Sequence, residues 1–224
     1  MNGTINVAVD GPSGAGKSTV ARLAAGKLGY VYVDTGAMYR ALALACLRKG
    51  FAPEDEASII KTCLESDVTI TYDGGEQVVL LDGENVNSLI RSEEVSRMTS
   101  PVSAYPRVRE KLLQLQRNLA AEHNVIMDGR DIGTNVLPDA NPKIYLTASV
   151  KTRAARRYAE QKERGLDCTL ENIEKDIEER DFRDMHRKCA PLTVAEGAVL
   201  LDTSDMNIDE AVNEVIKIID RCKA

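Results

Sequence analysis

The sequence lacks the features that mark membrane-spanning, secreted and zinc-binding proteins. No run of about 18 or more apolar residues occurs, so no transmembrane helix is predicted. The amino-terminal segment has neither a basic region nor a long apolar region, which argues against a signal peptide. The five cysteines are scattered and form no Cys-x-x-Cys pair. We therefore expect a cytoplasmic protein whose thiols stay reduced and take no part in the chemistry.

An excess of basic residues is missing as well. The chain has 29 Lys and Arg residues against 35 Asp and Glu residues, which gives a net charge of −6. Long-range attraction to DNA or RNA needs a positive potential, so we expect no nucleic-acid partner and no membrane surface. The 224 residues are 43% hydrophobic, which is enough for the core of one domain. No long apolar face is left over, and we expect a monomer.

Strand-like and helix-like segments alternate along the chain. Helical periodicity is found at residues 17–28, 37–49, 106–122 and 208–222. Buried strands are predicted at residues 5–10, 30–33, 124–128, 142–147 and 198–202. This alternation predicts an α/β fold in three layers, with a five-stranded parallel sheet between helices.

Two stretches depart from this alternation. Residues 68–72 and 77–81 are strand-like and flank an Asp-Gly-Gly-Glu turn, which predicts an antiparallel hairpin. We assign this hairpin to an insert over residues 66–97. Two highly charged helices, at 151–164 and 170–187, are expected to form a helical lid over about 151–187.

A glycine-rich motif lies between the first predicted strand and the first predicted helix. It matches G-x-x-x-x-G-K-[ST] and consists of Gly11, Pro12, Ser13, Gly14, Ala15, Gly16, Lys17 and Ser18, followed by Thr19. In this context backbone N–H groups surround a phosphate, the lysine reaches the β- and γ-phosphates, and the serine binds Mg²⁺. The motif predicts a P-loop NTPase-type fold that binds ATP or GTP, without naming the reaction.

Acidic and basic residues at strand ends narrow the range of reactions that the chain could catalyse. The base-reading Asn-Lys-x-Asp segment of GTPases is absent from the sequence. Asp34 and Asp128 each follow a predicted strand and are candidates for ordering the water molecules of Mg²⁺. Arg40 and Arg130 also lie just after strand ends, where open α/β sheets bind their ligands. We therefore expect a second, phosphate-bearing substrate.

Other arginines allow two interpretations. Arg180, Arg183 and Arg187 recur at helical spacing and therefore share a face, as lid residues over two phosphates would. They could equally pair with acidic neighbours on a solvated helix. For Arg153, Arg156 and Arg164, we favour the solvated ion pairs.

Several segments together resemble the bacterial cytidylate kinases over essentially the whole chain. The matching segments are residues 10–18, 34–40, 105–109, 128–134, 179–181, 183–184 and 190–192. That family carries an enlarged domain for the nucleoside monophosphate (NMP), so residues 66–97 would be a small NMP-binding subdomain. The resemblance implies phosphoryl transfer from ATP to CMP, with dCMP also accepted and Mg²⁺ required.

The resemblance also implies roles for individual residues. Those near the CMP phosphate would be Arg40, Arg130, Arg187 and Thr35. Those reading the cytosine would be Ser100, Arg109 and Asp131. Those contacting the sugar would be Arg180 and Asp184. Those stabilising the transferred phosphoryl group would be Lys17, Arg130, Arg187 and Arg157.

The chemistry of the base agrees with these roles. A carboxylate such as Asp131 accepts a hydrogen bond from the cytosine amino group, whereas it would meet the O4 oxygen of uracil. Two alternatives remain open at this point. One is a different acceptor, such as UMP or shikimate. The other is a nucleotide-gated binding protein that hydrolyses ATP slowly.

Overall fold

A parallel sheet with helices on both faces forms the body of the protein in its computed structural model, which describes residues 4–163 and 165–223. The strands are β1 (Asn6–Asp10), β2 (Val31–Asp34), β3 (Val68–Asp73), β4 (Glu76–Leu81), β5 (Glu84–Asn85), β6 (Val125–Gly129), β7 (Lys143–Thr147) and β8 (Val199–Asp202). The helices are α1 (Lys17–Leu28), α2 (Thr35–Arg48), α3 (Glu56–Glu65), α4 (Glu93–Ala104), α5 (Pro106–Glu122), α6 (Val150–Glu163), α7 (Leu170–His186) and α8 (Ile208–Lys223). The parallel sheet has the order β2-β6-β1-β7-β8.

Successive side chains of β1 point to opposite faces of the sheet, and this explains the three layers of the fold. Val7 and Val9 pack into one hydrophobic cluster with apolar residues of α1 and α8. Ala8, which points to the opposite face, joins a second cluster with α2, α4 and α5. Both faces of the sheet are therefore covered, as parallel strands require. The three-layer fold and the five-stranded parallel sheet predicted from the sequence are confirmed.

A second sheet, β3-β4-β5, is antiparallel and separate from the first. Its hairpin closes through Gly74 and Gly75, with φ angles of 58° and 85°, which suits a tight two-residue turn. The hairpin also contacts β2 of the main sheet. The Gln77 side chain accepts from the Asp34 N–H at 2.8 Å and donates to the Asp34 carbonyl at 3.2 Å. The hairpin is thus attached beside the end of β2.

Several elements were not predicted from the sequence. These are α3, α4, the two-residue strand β5 and a short π-helical segment at Ile132–Val136. Residue 97, the predicted end of the insert, falls inside α4, which packs on α2. The helices α6 and α7, over which the sequence predicts a lid, pack together through Ala154, Ile173 and Ile177. Residue 164, within the predicted lid, lies outside the described residues.

Parallel pairing brings the functional strand ends to one edge of the sheet. Asp10 pairs with Gly129, and Asp34 pairs with Asp128. The carboxyl ends of β1, β2 and β6 therefore lie side by side, where open α/β sheets bind ligands.

Among residues 4–163 and 165–223, no helix combines the length and apolar content needed to cross a membrane.

Gly11 follows β1 at a point where no side chain fits. Its φ is +148°, and a Cβ atom there would lie 2.0 Å from the Leu146 carbonyl oxygen of β7. We expect Gly11→Ala to lower the free energy of unfolding by roughly 3 kcal/mol or more, because strain and overpacking add. Urea denaturation followed by circular dichroism measures this effect.

Gly26→Ala provides the control for this prediction. Gly26 is exposed in the interior of α1, and a Cβ there would meet nothing within 4 Å. Alanine should therefore stabilise the helix by roughly 0.5–1 kcal/mol. Equal stability of the two variants would contradict the close approach of Gly11 to β7.

Candidate active site

The glycine-rich loop opens into a cavity of about 970 Å³ at the carboxyl edge of the sheet. Gly14 and Gly16 have φ angles of +74° and +89°, and Gly16 is the N-cap of α1. These left-handed conformations curl the loop into a concave shape, and backbone N–H groups at such a turn form an anion nest. Ser13, Gly14, Ala15, Gly16, Lys17, Ser18 and Thr19 line the cavity.

Lys17 is folded back over its own loop. Its Nζ atom donates to the Pro12 carbonyl oxygen at 2.7 Å, and the residue is only 5% exposed. Burial, with Arg130 nearby, lowers the pKa of Lys17 to about 7. A polyphosphate in the loop would supply the negative charge that favours the protonated form.

Two carboxylates lie beside the loop and have different partners. Asp128 accepts from the Ser18 hydroxyl and from the Tyr32 hydroxyl, each at 2.9 Å. Asp34 instead caps α2 by accepting from the Ala37 N–H at 2.9 Å. Burial and the nearby Asp34 raise the pKa of Asp128 to about 6. Ser18 and Asp128 thus place hydroxyl and carboxylate oxygens together next to the phosphate loop.

Two arginines that line the same cavity are each held by a carboxylate. Arg40 Nη2 lies 2.8 Å from the second oxygen of Asp34. Arg130 Nε lies 2.8 Å from Asp184 Oδ2 on α7. These pairs connect the end of β2 with α2 and the end of β6 with α7.

Asp131 receives two further arginines. Arg109 Nη2 is 2.5 Å from Asp131 Oδ2, and both side chains are 6% exposed. Arg187 Nη2 is 3.4 Å from Asp131 Oδ1, and Asn135 Nδ2 donates to Oδ2 at 3.1 Å. The Arg109 guanidinium also lies over the ring of Tyr39, 5.3 Å from its centroid. The result is a buried polar cluster in the same cavity as the phosphate loop.

The remaining predicted site residues lie as follows. Arg180 donates to Ser96 on α4 at 3.1 Å, and burial with nearby Arg130 lowers its pKa to about 10. The Thr35 hydroxyl donates to the Asp128 carbonyl at 2.8 Å. Ser100 lines the main cavity and also a second cavity of about 690 Å³ between α4 and α7. Of these two cavities, Arg157 lines the second and not the main one.

The folded chain matches a known family over nearly its entire length. Residues 7–221 match the family model described as cytidylate kinase. The chain belongs to the cytidylate kinase family. A curated cytidylate kinase of Caldanaerobacter subterraneus subsp. tengcongensis is 48% identical over 98% of this chain and 96% of that protein. Another, of Lactobacillus johnsonii, is 47% identical over 99% of this chain and 96% of that protein.

A solved structure supports the fold alone. A gluconokinase of Sinorhizobium meliloti is similar with a TM-score of 0.51 at 14% identity, covering 99% of this chain and 94% of that one. The likeness reflects a shared α/β architecture. It carries no information on the acceptor, since one fold supports many functions.

Some contacts in and around the main cavity were not predicted from the sequence. Tyr32 lies two residues before Asp34 on β2 and therefore on the same face, which was the available signal. Asp10 accepts the Ile132 and Gly133 N–H groups at 2.8 and 2.7 Å and so fixes the segment that follows Asp131. Arg156, predicted to pair with acidic neighbours on a solvated helix, donates to the Thr203 carbonyl at 2.7 Å and lines the cavity.

The hydrogen bond from Tyr32 to Asp128 allows a test of what sets the pKa of Asp128. Tyr32→Phe removes a donor to the ionised form of Asp128, so we expect the pKa of Asp128 to rise above about 6. The unpaired carboxylate oxygen should also lower the free energy of unfolding by roughly 1–3 kcal/mol. Carbon-13 NMR of labelled aspartate carboxyl groups against pH measures the pKa, and Asp128→Asn assigns the signal.

Tyr72→Phe is the matched control. The Tyr72 hydroxyl donates to the Tyr32 backbone carbonyl at 3.2 Å and has no carboxylate partner among residues 4–163 and 165–223. The titration midpoint of Asp128 should stay unchanged in this variant. An unchanged or lower midpoint in Tyr32→Phe would contradict the assigned hydrogen bond.

Proposed function

We propose that this chain transfers the γ-phosphoryl group of ATP to CMP, giving ADP and CDP, and that it also accepts dCMP. One observation carries the proposal in a chain of this family. A phosphate-binding loop and a cluster of arginines line the same cavity of about 970 Å³. Such a cavity can hold two phosphate-bearing nucleotides with their phosphates facing each other.

The donor side is formed by the glycine-rich loop. Its N–H groups and the N-terminus of α1 would hold the ATP phosphates, with Lys17 on the β- and γ-phosphates. Oxygen donors suit Mg²⁺, and Ser18 Oγ lies 2.9 Å from Asp128 Oδ2. Ser18 would bind the ion directly and Asp128 through water, where the ion would offset negative charge on the phosphates. Asp34 would help to order the water molecules around it.

The acceptor phosphate would be held by Arg40, Arg130 and Arg187. Guanidinium groups bind phosphate oxygens in a planar, bidentate manner and stay charged. The Arg40 Nε group is buried and has no hydrogen-bond partner among the described residues. Buried polar groups are normally satisfied, so this donor is available to a ligand. Thr35, at the start of α2, lies beside these groups.

The base and the sugar would be held farther from the phosphate loop. Asp131 would accept from the cytosine amino group, while Arg109 and Ser100 would donate to its acceptor atoms. Arg180 and Asp184 would contact the sugar. The Nε atoms of Arg109 and Arg180 are buried without a partner among the described residues, which supports a ligand at both.

The mechanism needs positioning and charge stabilisation more than proton transfer. A CMP phosphate oxygen is ionised at neutral pH and attacks without a strong general base. Lys17, Arg130 and Arg187 would stabilise charge on the transferred phosphoryl group, with Arg157 joining them when the lid over residues 151–187 closes. Closure would exclude water and so favour transfer over hydrolysis. We further expect the enzyme to act as a monomer in the cytoplasm.

A panel of acceptors tests the proposed reaction. Steady-state kcat/KM with MgATP should be highest for CMP and dCMP, and roughly 100-fold or more lower for UMP and AMP. A coupled assay measures ADP release, and phosphorus-31 NMR identifies the product. Shikimate should give no product. ADP release at the same rate without any acceptor would indicate an ATPase and contradict the proposal.

Base selection gives a sharper prediction. Asp131→Asn keeps the shape and one acceptor oxygen but adds an amide donor that suits O4 of uracil. The ratio of kcat/KM for CMP to that for UMP should fall by about tenfold or more. Both values come from one preparation, so a loss of folded protein cancels in the ratio.

The control for base selection is Asp139→Asn. Asp139 is exposed and lies outside the cavity. It undergoes the same chemical change, and its CMP to UMP ratio should match that of the unaltered chain. An unchanged ratio in Asp131→Asn would show that other residues read the base.

A further inference from the structure

A buried arginine connects the phosphate loop to the helix on the acceptor side. Arg153 of α6 is 4% exposed, although the sequence favoured a solvated ion pair. Its Nη1 atom donates to the Ser13 carbonyl at 2.9 Å and lies 2.7 Å from Asp181 Oδ2 on α7. Its Nε atom donates to the Ala148 carbonyl at 2.9 Å, which anchors the side chain. One side chain therefore joins three segments.

The contact between Arg153 and Ser13 fixes the orientation of one peptide group in the phosphate loop. A trans peptide is planar, so the Ser13 carbonyl and the Gly14 N–H point in opposite directions. Holding the carbonyl on Arg153 aims the Gly14 N–H away from α6. A Cβ on Gly14 would lie 3.5 Å from the Arg153 Cβ, so loop and helix are in direct contact. Arg153 thus orients a donor of the anion nest.

The contact between Arg153 and Asp181 holds α7, the helix on the acceptor side of the cavity. Asp181 follows Arg180 directly in α7 and lies one turn before Asp184, and both of these neighbours line the main cavity. Displacing Asp181 would move them too, because a helix moves as a unit. Asp181 Oδ1 is buried without a partner among the described residues, so its hold on α6 depends on Oδ2.

We propose that Arg153 and Asp181 are positioning residues that couple binding of the two nucleotides. Occupation of the loop by ATP fixes Ser13, and through Arg153 and Asp181 it fixes the helix that carries Arg180 and Asp184. CMP then binds to an acceptor side that is already ordered. Coupling of this kind is reciprocal, so CMP must strengthen ATP binding by the same factor. The inference rests on the proposed function.

Isothermal titration calorimetry tests the coupling. The Kd of CMP is measured without and with saturating β,γ-imido-ATP and Mg²⁺, and the Kd of the analogue without and with CMP. The unaltered chain should show the same ratio in both directions, on the order of tenfold. In Asp181→Asn, which keeps the shape but loses the ion pair, the ratio should fall towards one.

Two further variants separate coupling from a loss of folding. Glu178→Gln removes one charge from the exposed face of α7 and should keep the full ratio. Arg153→Lys keeps the positive charge but loses the Nε donor that anchors the side chain on the Ala148 carbonyl, so the charge is no longer fixed between Ser13 and Asp181 and the ratio should also fall. If Arg153 and Asp181 served stability alone, Arg153→Lys and Asp181→Asn would lower the melting temperature and leave the ratio of the Kd values unchanged.

The outcomes distinguish the two proposals. Tight CMP binding with an unchanged ratio in folded Asp181→Asn and Arg153→Lys would overturn the coupling and leave the proposed function intact. A ratio of one in the unaltered chain would overturn it as well. Failure of the unaltered chain to bind CMP at all would overturn both, since the coupling depends on CMP as a ligand.

Discussion

Burying a guanidinium group without a negative partner costs free energy, and the cavity of this chain is arranged around ion pairs that supply one. Arg40 pairs with Asp34, Arg130 with Asp184, and Arg109 with Asp131. Each pair joins residues from two different segments of the chain. Each carboxylate therefore orients its arginine without a ligand, whereas the placement of α7 relative to the phosphate loop depends on the contact between Arg153 and Asp181. Such preorganisation limits the ordering cost of binding.

The parallel sheet determines which of these groups can meet. Asp34 and Asp128 lie in register on neighbouring strands, so two carboxylates are adjacent at the edge where Lys17 begins α1. Burial and this proximity raise the pKa of Asp128, while Lys17, Tyr32 and Ser18 oppose the rise. The balance of charge beside the phosphate loop is thus a consequence of strand order. A different register of β2 against β6 would separate the carboxylates of Asp34 and Asp128.

Local patterns in the sequence were sufficient for most of the fold and for only part of the site. Alternation and helical periodicity predicted the five parallel strands, and Gly16-Lys17-Ser18 located the phosphate loop. The helix α4 was missed although its buried residues recur at helical spacing, because Pro101 lies inside it and a proline usually breaks a helix. The contacts of Tyr32 and Arg153 were missed for another reason. Tyr32 meets a residue 96 positions away, and Arg153 meets one 140 positions away, so only the folded sheet brings them together.

Asp10 shows how one residue serves both halves of the cavity. It ends β1 immediately before the phosphate loop, and its carboxylate accepts the N–H groups of Ile132 and Gly133. These N–H groups belong to the segment that begins at Asp131, the proposed reader of the base. Burial raises the pKa of Asp10 to about 6, while the two backbone hydrogen bonds oppose the rise. The strand that leads into the phosphate loop therefore also fixes the segment that selects the acceptor, so the relative position of the two halves depends on β1.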